Sequence, residues 1–183
     1  MFRHIVILGW ALVLIGFQVE ATTVVTFPFD TLCQQAKTIA YVRCETSESF
    51  QAQDGIFTRT RLKVLQPIKG EVETEIVLTL PGGKVGENRL VVHGVPRFVA
   101  GQEMVVFLSE PDAQGSPWPM GLGQGCYGVQ EGEDGAKHVR MHPGVTPIPQ
   151  TIRSKPVPGQ VLQVPLQNFI GQVHQVLKPE GQD

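Results

Sequence analysis

Two runs in which apolar and polar side chains alternate, joined through Gln53-Asp54-Gly55, constrain this chain more than any other feature. In Thr38 to Ser47, Ala40, Val42 and Cys44 share one face, and Tyr41, Arg43 and Glu45 share the other. In Ile56 to Leu65, Ile56, Thr58, Thr60, Leu62 and Val64 oppose Phe57, Arg59, Arg61, Lys63 and Leu65. A period of two is that of a half-buried strand. Asp-Gly between two such runs signals a hairpin.

Similar punctuation continues along the chain. Pro67 and Lys69-Gly70 close the second strand, Glu75 to Leu80 forms a third, Pro81-Gly82-Gly83-Lys84-Val85-Gly86 reads as a loop, and Arg89 to His93 as a short strand. Gly94-Val95-Pro96-Arg97-Phe98 and Gly101-Gln102 turn the chain before Glu103 to Ser109, whose Met104-Val105-Val106-Phe107-Leu108 is apolar on both faces and therefore predicted to be buried on both. Met120 to Gln130 and Lys137 to Met141 bring the count to about seven strands. Twenty Gly and 14 Pro in 183 residues supply the turns. The pattern predicts a mainly β, single-domain fold: a closed or nearly closed barrel, or a sandwich.

Helices flank the strands. Phe29, Leu32, Cys33 and Ala36 fall at i, i+3, i+4 and i+7, predicting a short helix over Phe29 to Lys37. After His142, six prolines between Pro143 and Pro165 stiffen an extended strap. Leu166, Phe169, Ile170, Val173, Val176 and Leu177 then form the apolar face of a helix running to Lys178, which should dock on the barrel.

The N-terminus is an export address. Arg3 and His4 precede the apolar run Ile5 to Phe17, and Val19-Glu20-Ala21 is a small-x-small cleavage site. That run falls short of the ~20 residues of a membrane-spanning helix. The expected division is a signal peptide at 1–21, a barrel at 22–142, a strap at 143–165 and a helix at 166–178. The mature chain should be soluble, without a stable membrane anchor, in the periplasm or extracellular space. Cleavage removes one basic and one acidic residue, so the net charge stays at −2 and gives no electrostatic footprint for nucleic acid. In an oxidising compartment two of the three cysteines should pair. Cys33 belongs to the helical stripe, and Cys44 and Cys126 share an inward parity. The expected bridge is Cys44 to Cys126.

The Ala36 to Ile39 helix end, the hairpin closing in Ile68-Lys69-Gly70, Pro81-Gly82-Gly83, Gly94-Val95-Pro96-Arg97-Phe98 and Gly121-Leu122-Gly123-Gln124-Gly125 together resemble a group of small exported bacterial proteins of uncharacterised function. More distantly, hairpin followed by Lys-Gly is similar to netrin-like and metalloprotease-inhibitor (TIMP-like) modules. That second resemblance implies an OB-type barrel. A TIMP-type inhibitor places an N-terminal cysteine on the catalytic zinc, whereas cleavage here would leave Thr22-Thr23.

Few residues suggest chemistry. His138 and His142 are four apart, but on a strand that spacing separates them by ~13 Å, and the Glu of HExxH is absent. With His93 they are the only metal candidates. The Gly82-Gly83 loop lacks the P-loop pattern, no serine lies in a nucleophile elbow, and Glu131, Glu133 and Asp134 read as a solvated turn. Arg59, Arg61 and Lys63 read as a solvated face. Gly121, Gly123 and Gly125 recur at period two and predict a bare strand face. The sequence therefore favours a non-enzymatic binding module, without cofactor, contacting a protein or envelope polymer through Gly82, Gly83, Pro96, Arg97 and Phe98. Trp118, held between two prolines, is the expected exposed anchor. The alternatives are a metalloprotease inhibitor or accessory protein and, third, a metal-dependent hydrolase.

Overall fold

The computed structural model describes residues 27–133, 135–152 and 160–178. The expected leader at 1–21, its cleavage point, Asp134 and the middle of the strap lie outside them. Strands β1 (Thr38–Ala52), β2 (Gly55–Lys69), β3 (Glu75–Pro81), β4 (Gly83–Val85), β5 (Asn88–Leu90), β6 (Glu103–Leu108), β7 (Cys126–Glu131), β8 (Lys137–Met141) and β9 (Leu162–Pro165) lie between helices α1 (Phe29–Gln35) and α2 (Leu166–Leu177). Seven of the strands form one antiparallel sheet in the order β3-β2-β1-β6-β7-β8-β9, and β4 and β5 form a small hairpin of their own. The fold is mainly β.

The hairpin follows the alternation. Ala52 pairs with Gly55 across Gln53-Asp54, which fixes Ser49 opposite Thr58 and Ser47 opposite Thr60. Register shifts at Ile39/Ala40, Tyr41/Val42 and Cys44/Thr46 bend β1. Its first half is buried on both faces, unlike the half-buried strand expected. Ile39 and Tyr41 join one core with Val105, Phe107, Tyr127, Val139, Phe169 and Ile170, where both helices pack. Ala40, Val42 and Cys44 join a second with Leu62, Leu78, Leu80, Phe98, Val106 and Leu108. In this second core β3 and β6 contribute side chains to one cluster although two strands stand between them, so this half of the sheet curls.

The curl does not close into the expected barrel. β3 and β9 end the sheet, and β6 already has β1 and β7 as neighbours. The outer edge of β3 is instead met by the segment after β6: the Thr79 N–H donates to Ser116 Oγ at 2.8 Å, and Leu108 bridges to Pro119. That segment contains Pro111, Pro117 and Pro119, which have no N–H to give, and the bond it makes to β3 is through a side-chain oxygen.

Three further expectations are corrected. Part of the Pro81 to Gly86 loop is the β4–β5 hairpin. The strap ends in a strand, β9, paired with β8. Residues 122–125 form a 3-10 turn rather than the start of a strand. A Cβ on Gly125 would lie 2.6 Å from the Met120 carbonyl oxygen and 3.0 Å from that of Phe107. Close backbone approach in a tight turn, and not a bare strand face, explains the glycine there.

All three thiols are free. Cys126 pairs with Val106, which pairs with Ala40, while Cys44 lies four residues further along β1. Two strand spacings alone amount to about 10 Å, beyond the reach of ~7 Å between disulfide Cα atoms. The expected Cys44 to Cys126 bridge is thus corrected. Both cysteines do pack at the second core, but β6 stands between their strands, which are not the neighbours that the bridge requires.

Candidate functional site

Where the far halves of β1 and β2 leave the core, the β4–β5 hairpin folds back over them. The segment 91–99 completes an open cleft of about 230 Å³. Five of the six residues expected to bind, Gly82, Gly83, Pro96, Arg97 and Phe98, line it. Trp118 does not. Its indole N–H donates to Asp112 Oδ2 at 3.1 Å and its half-buried ring packs on the second core, away from this cleft.

The floor consists of hydroxyls missed as a group at the sequence level. Ser49 Oγ lies 2.9 Å from Thr58 Oγ1, and Ser47 Oγ lies 3.3 Å from Thr60 Oγ1. The signal was present: positions 47 and 49 share a face of β1, 58 and 60 share a face of β2, and a two-residue loop sets them opposite. One pair has a fixed direction. The Lys84 N–H donates to Ser49 Oγ at 3.2 Å, and Thr58 Oγ1 donates to the Gly82 carbonyl at 2.7 Å. Ser49 must therefore donate to Thr58, because each hydroxyl has one hydrogen. The relay fastens the hairpin to the sheet. Gly83 lies directly on it: at φ +136°, a Cβ there would come 2.2 Å from Ser49 Oγ and 2.6 Å from Thr58 Oγ1.

The opposite wall is held at several points. Phe98 is buried in the second core. The Gly101 N–H donates to the Cys44 carbonyl at 2.8 Å, and the Gly123 N–H donates to that of Gly94 at 2.9 Å. Leu122, next to this last contact, has φ 58°, a left-handed conformation uncommon for a residue with a side chain. Among the described residues of the lining, Lys84 and Arg97 are the only ionisable side chains, beside the aliphatic Leu80, Leu90, Val92, Val95 and Val99.

A second polar cluster stands elsewhere, at a groove of about 330 Å³ lined by Glu103, Lys137, Arg140 and His142. Glu103 accepts from the Tyr41 hydroxyl, from Arg43 Nη2 at 2.8 Å and from Lys137 Nζ at 2.9 Å. Burial opposes its charge, but these three donors prevail and hold its carboxyl down at about 2. Burial and the same carboxylate push the Tyr41 hydroxyl up. A carboxylate this saturated is a structural ion network, with no base to offer at neutral pH.

The three candidate metal ligands are dispersed. His138 lies on β8 beside the Ala136 carbonyl, His142 lies on the groove just described, and His93 is exposed ahead of the 94–98 turn. No group of three metal-ligating side chains occurs among the described residues. The basic stripe on β2 is engaged within the fold, Arg59 over the Phe50 ring at 5.2 Å and Arg61 on Glu75 at 2.8 Å. Among the described residues no helix is long and apolar enough to cross a membrane. Comparison of the chain with family models, curated proteins and solved structures gives no match.

Proposed function

We propose that the chain is an exported, non-enzymatic binding module whose cleft between the β4–β5 hairpin and the segment 91–99 receives a protein or envelope polymer. The observation that carries this reading is the lining itself. Four hydroxyls stand there on a floor and wall fastened by hydrogen bonds, and among the described residues of the lining no carboxylate, imidazole or thiol stands beside them to activate them. Such a lining suits recognition. Export rests on the leader-like residues 1–21, and fractionation with N-terminal sequencing tests it, with Thr22 as the expected first residue. The curl that brings β3 over β6 is what supports an OB-type or netrin-like kinship.

Affinity capture from the native envelope and culture fluid tests the binding reading, with the mature chain as bait. Val99 is exposed at the mouth of the cleft, so Val99→Trp obstructs it without touching a core. One specific partner retained by the native chain and by Trp118→Ala, but lost with Val99→Trp, is the expected result. Equal capture by the native chain and Val99→Trp overturns the cleft as the site.

A further inference from the structure

Building on that reading of the cleft, we infer that its occupant is an acidic, extended segment of a partner polypeptide. Charge points first in this direction. Lys84 and Arg97 line the cleft and, among the described residues, no carboxylate does. Arg89 stands directly opposite Lys84 in the β4–β5 ladder. Like charges so placed weaken a two-stranded ribbon. Among the described residues none of these three cations has a carboxylate within ion-pair distance, although other cations of the chain do, Lys37 on Glu110 and Arg61 on Glu75 among them. The hairpin's one acidic residue, Glu87, sits at its turn. An incoming carboxylate would relieve the repulsion.

The hydroxyl floor adds an independent requirement. In the Ser49 and Thr58 relay both hydrogens are spent, leaving lone pairs only. Ser47 and Thr60 share a single hydrogen bond, and each has one hydrogen, so one O–H of this pair is left over among the described residues. A spare donor at the floor calls for an acceptor on the ligand, a peptide carbonyl or a carboxylate.

The walls decide between a peptide and an acidic sugar polymer. The one aromatic ring of the lining, Phe98, is turned into the core and only 6% exposed, so no open ring face awaits a pyranose. Leu90, Val92, Val95, Pro96 and Val99 offer aliphatic surface suited to aliphatic side chains along an extended peptide.

The test uses the mature chain labelled with ¹⁵N and four probes: short synthetic peptides of alternating Val-Asp, Val-Lys and Val-Ser, and polygalacturonate. Amide shifts of Gly82, Gly83, Phe98 and Val99 report occupancy. The Val-Asp peptide should shift them, and its affinity should fall about tenfold or more on Arg97→Glu, and again as salt rises from about 0.05 to about 0.5 M. Arg97 is exposed and has no ion pair among the described residues, so an unchanged thermal midpoint confirms that Arg97→Glu still folds. Equal or tighter binding of Val-Lys or Val-Ser, or shifts with polygalacturonate alone, overturns the acidic peptide and leaves the cleft standing. Silence from all four probes, with capture still sensitive to Val99→Trp, does the same. Silence together with insensitive capture brings down both.

Discussion

Glu103 shows how one half-buried carboxylate ties three strands together, since its donors Tyr41 and Arg43 stand on β1 and Lys137 on β8 while it belongs to β6. Its folded pKa of about 2 lies below the ~4.3 of an unfolded glutamate, so the stabilisation is complete above about pH 4.5 and is lost as pH falls towards 2. Glu103→Gln should cost roughly 2 kcal/mol at pH 7, and much of that difference should vanish by about pH 3, as measured by urea unfolding at both pH values. A second prediction concerns the relay. Gly83→Ala should destabilise by roughly 2 kcal/mol through its clash with two hydroxyls, and Gly86→Ala, with open space around it and only φ +58° to strain it, by less. Thermal denaturation ranks the two. The hydroxyl pairs were legible from strand parity once the hairpin turn was placed. Trp118 was not, because a proline-flanked tryptophan reads the same whether its indole N–H meets solvent or, as here, a carboxylate six residues upstream.

Among the elements, α2 is the one that the sequence described best. Its stripe at 166, 169, 170 and 173 is buried as the 3.6-residue period requires. Phe169 meets Phe29, Phe107 and Tyr127 with ring centroids at 5.6, 6.4 and 4.9 Å. Phe169→Ala should therefore cost about 3 to 5 kcal/mol in equilibrium unfolding, whereas Gln167→Ala on the exposed face should cost little. The elements misread were those whose residues serve a backbone approach instead of a periodic face. Gly121 to Gly125 imitates a strand period while forming a 3-10 turn. β9 has only Leu162, Gln163 and Val164 ahead of its proline, too few for alternation to register, and pairs because it lies on an edge where a proline does no harm.

For the whole molecule, the mainly β character and the double burial of β6 could be read from the sequence, but not the full set of nine strands among the described residues, nor whether the sheet closes. Closure depends on what meets the β3 edge, which is a proline-bearing segment some 35 residues away in the chain. Strand order also decides the cysteines. Peptide mapping of non-reduced protein should find three free thiols, with Cys33 and Cys126 sluggish towards alkylation, since burial pushes both thiols up to about 12. A Cys44 to Cys126 bridge would overturn the order β1-β6-β7. The two cores share the walls β1 and β6 yet are assembled from different parts of the chain. The one around Leu62, Leu78 and Val106 uses residues 40 to 108, with Trp118 and Cys126 at its margin, whereas the one around Phe107 and Tyr127 is not covered until Leu166 to Val173 arrive. A chain made from its N-terminus can thus consolidate its cleft-bearing half early, while Phe29, Phe107 and Tyr127 wait for the last helix to emerge. Synthesis stalled before residue 166 would leave a half-built molecule with one seated core and one greasy open face, the natural target for a chaperone or a protease.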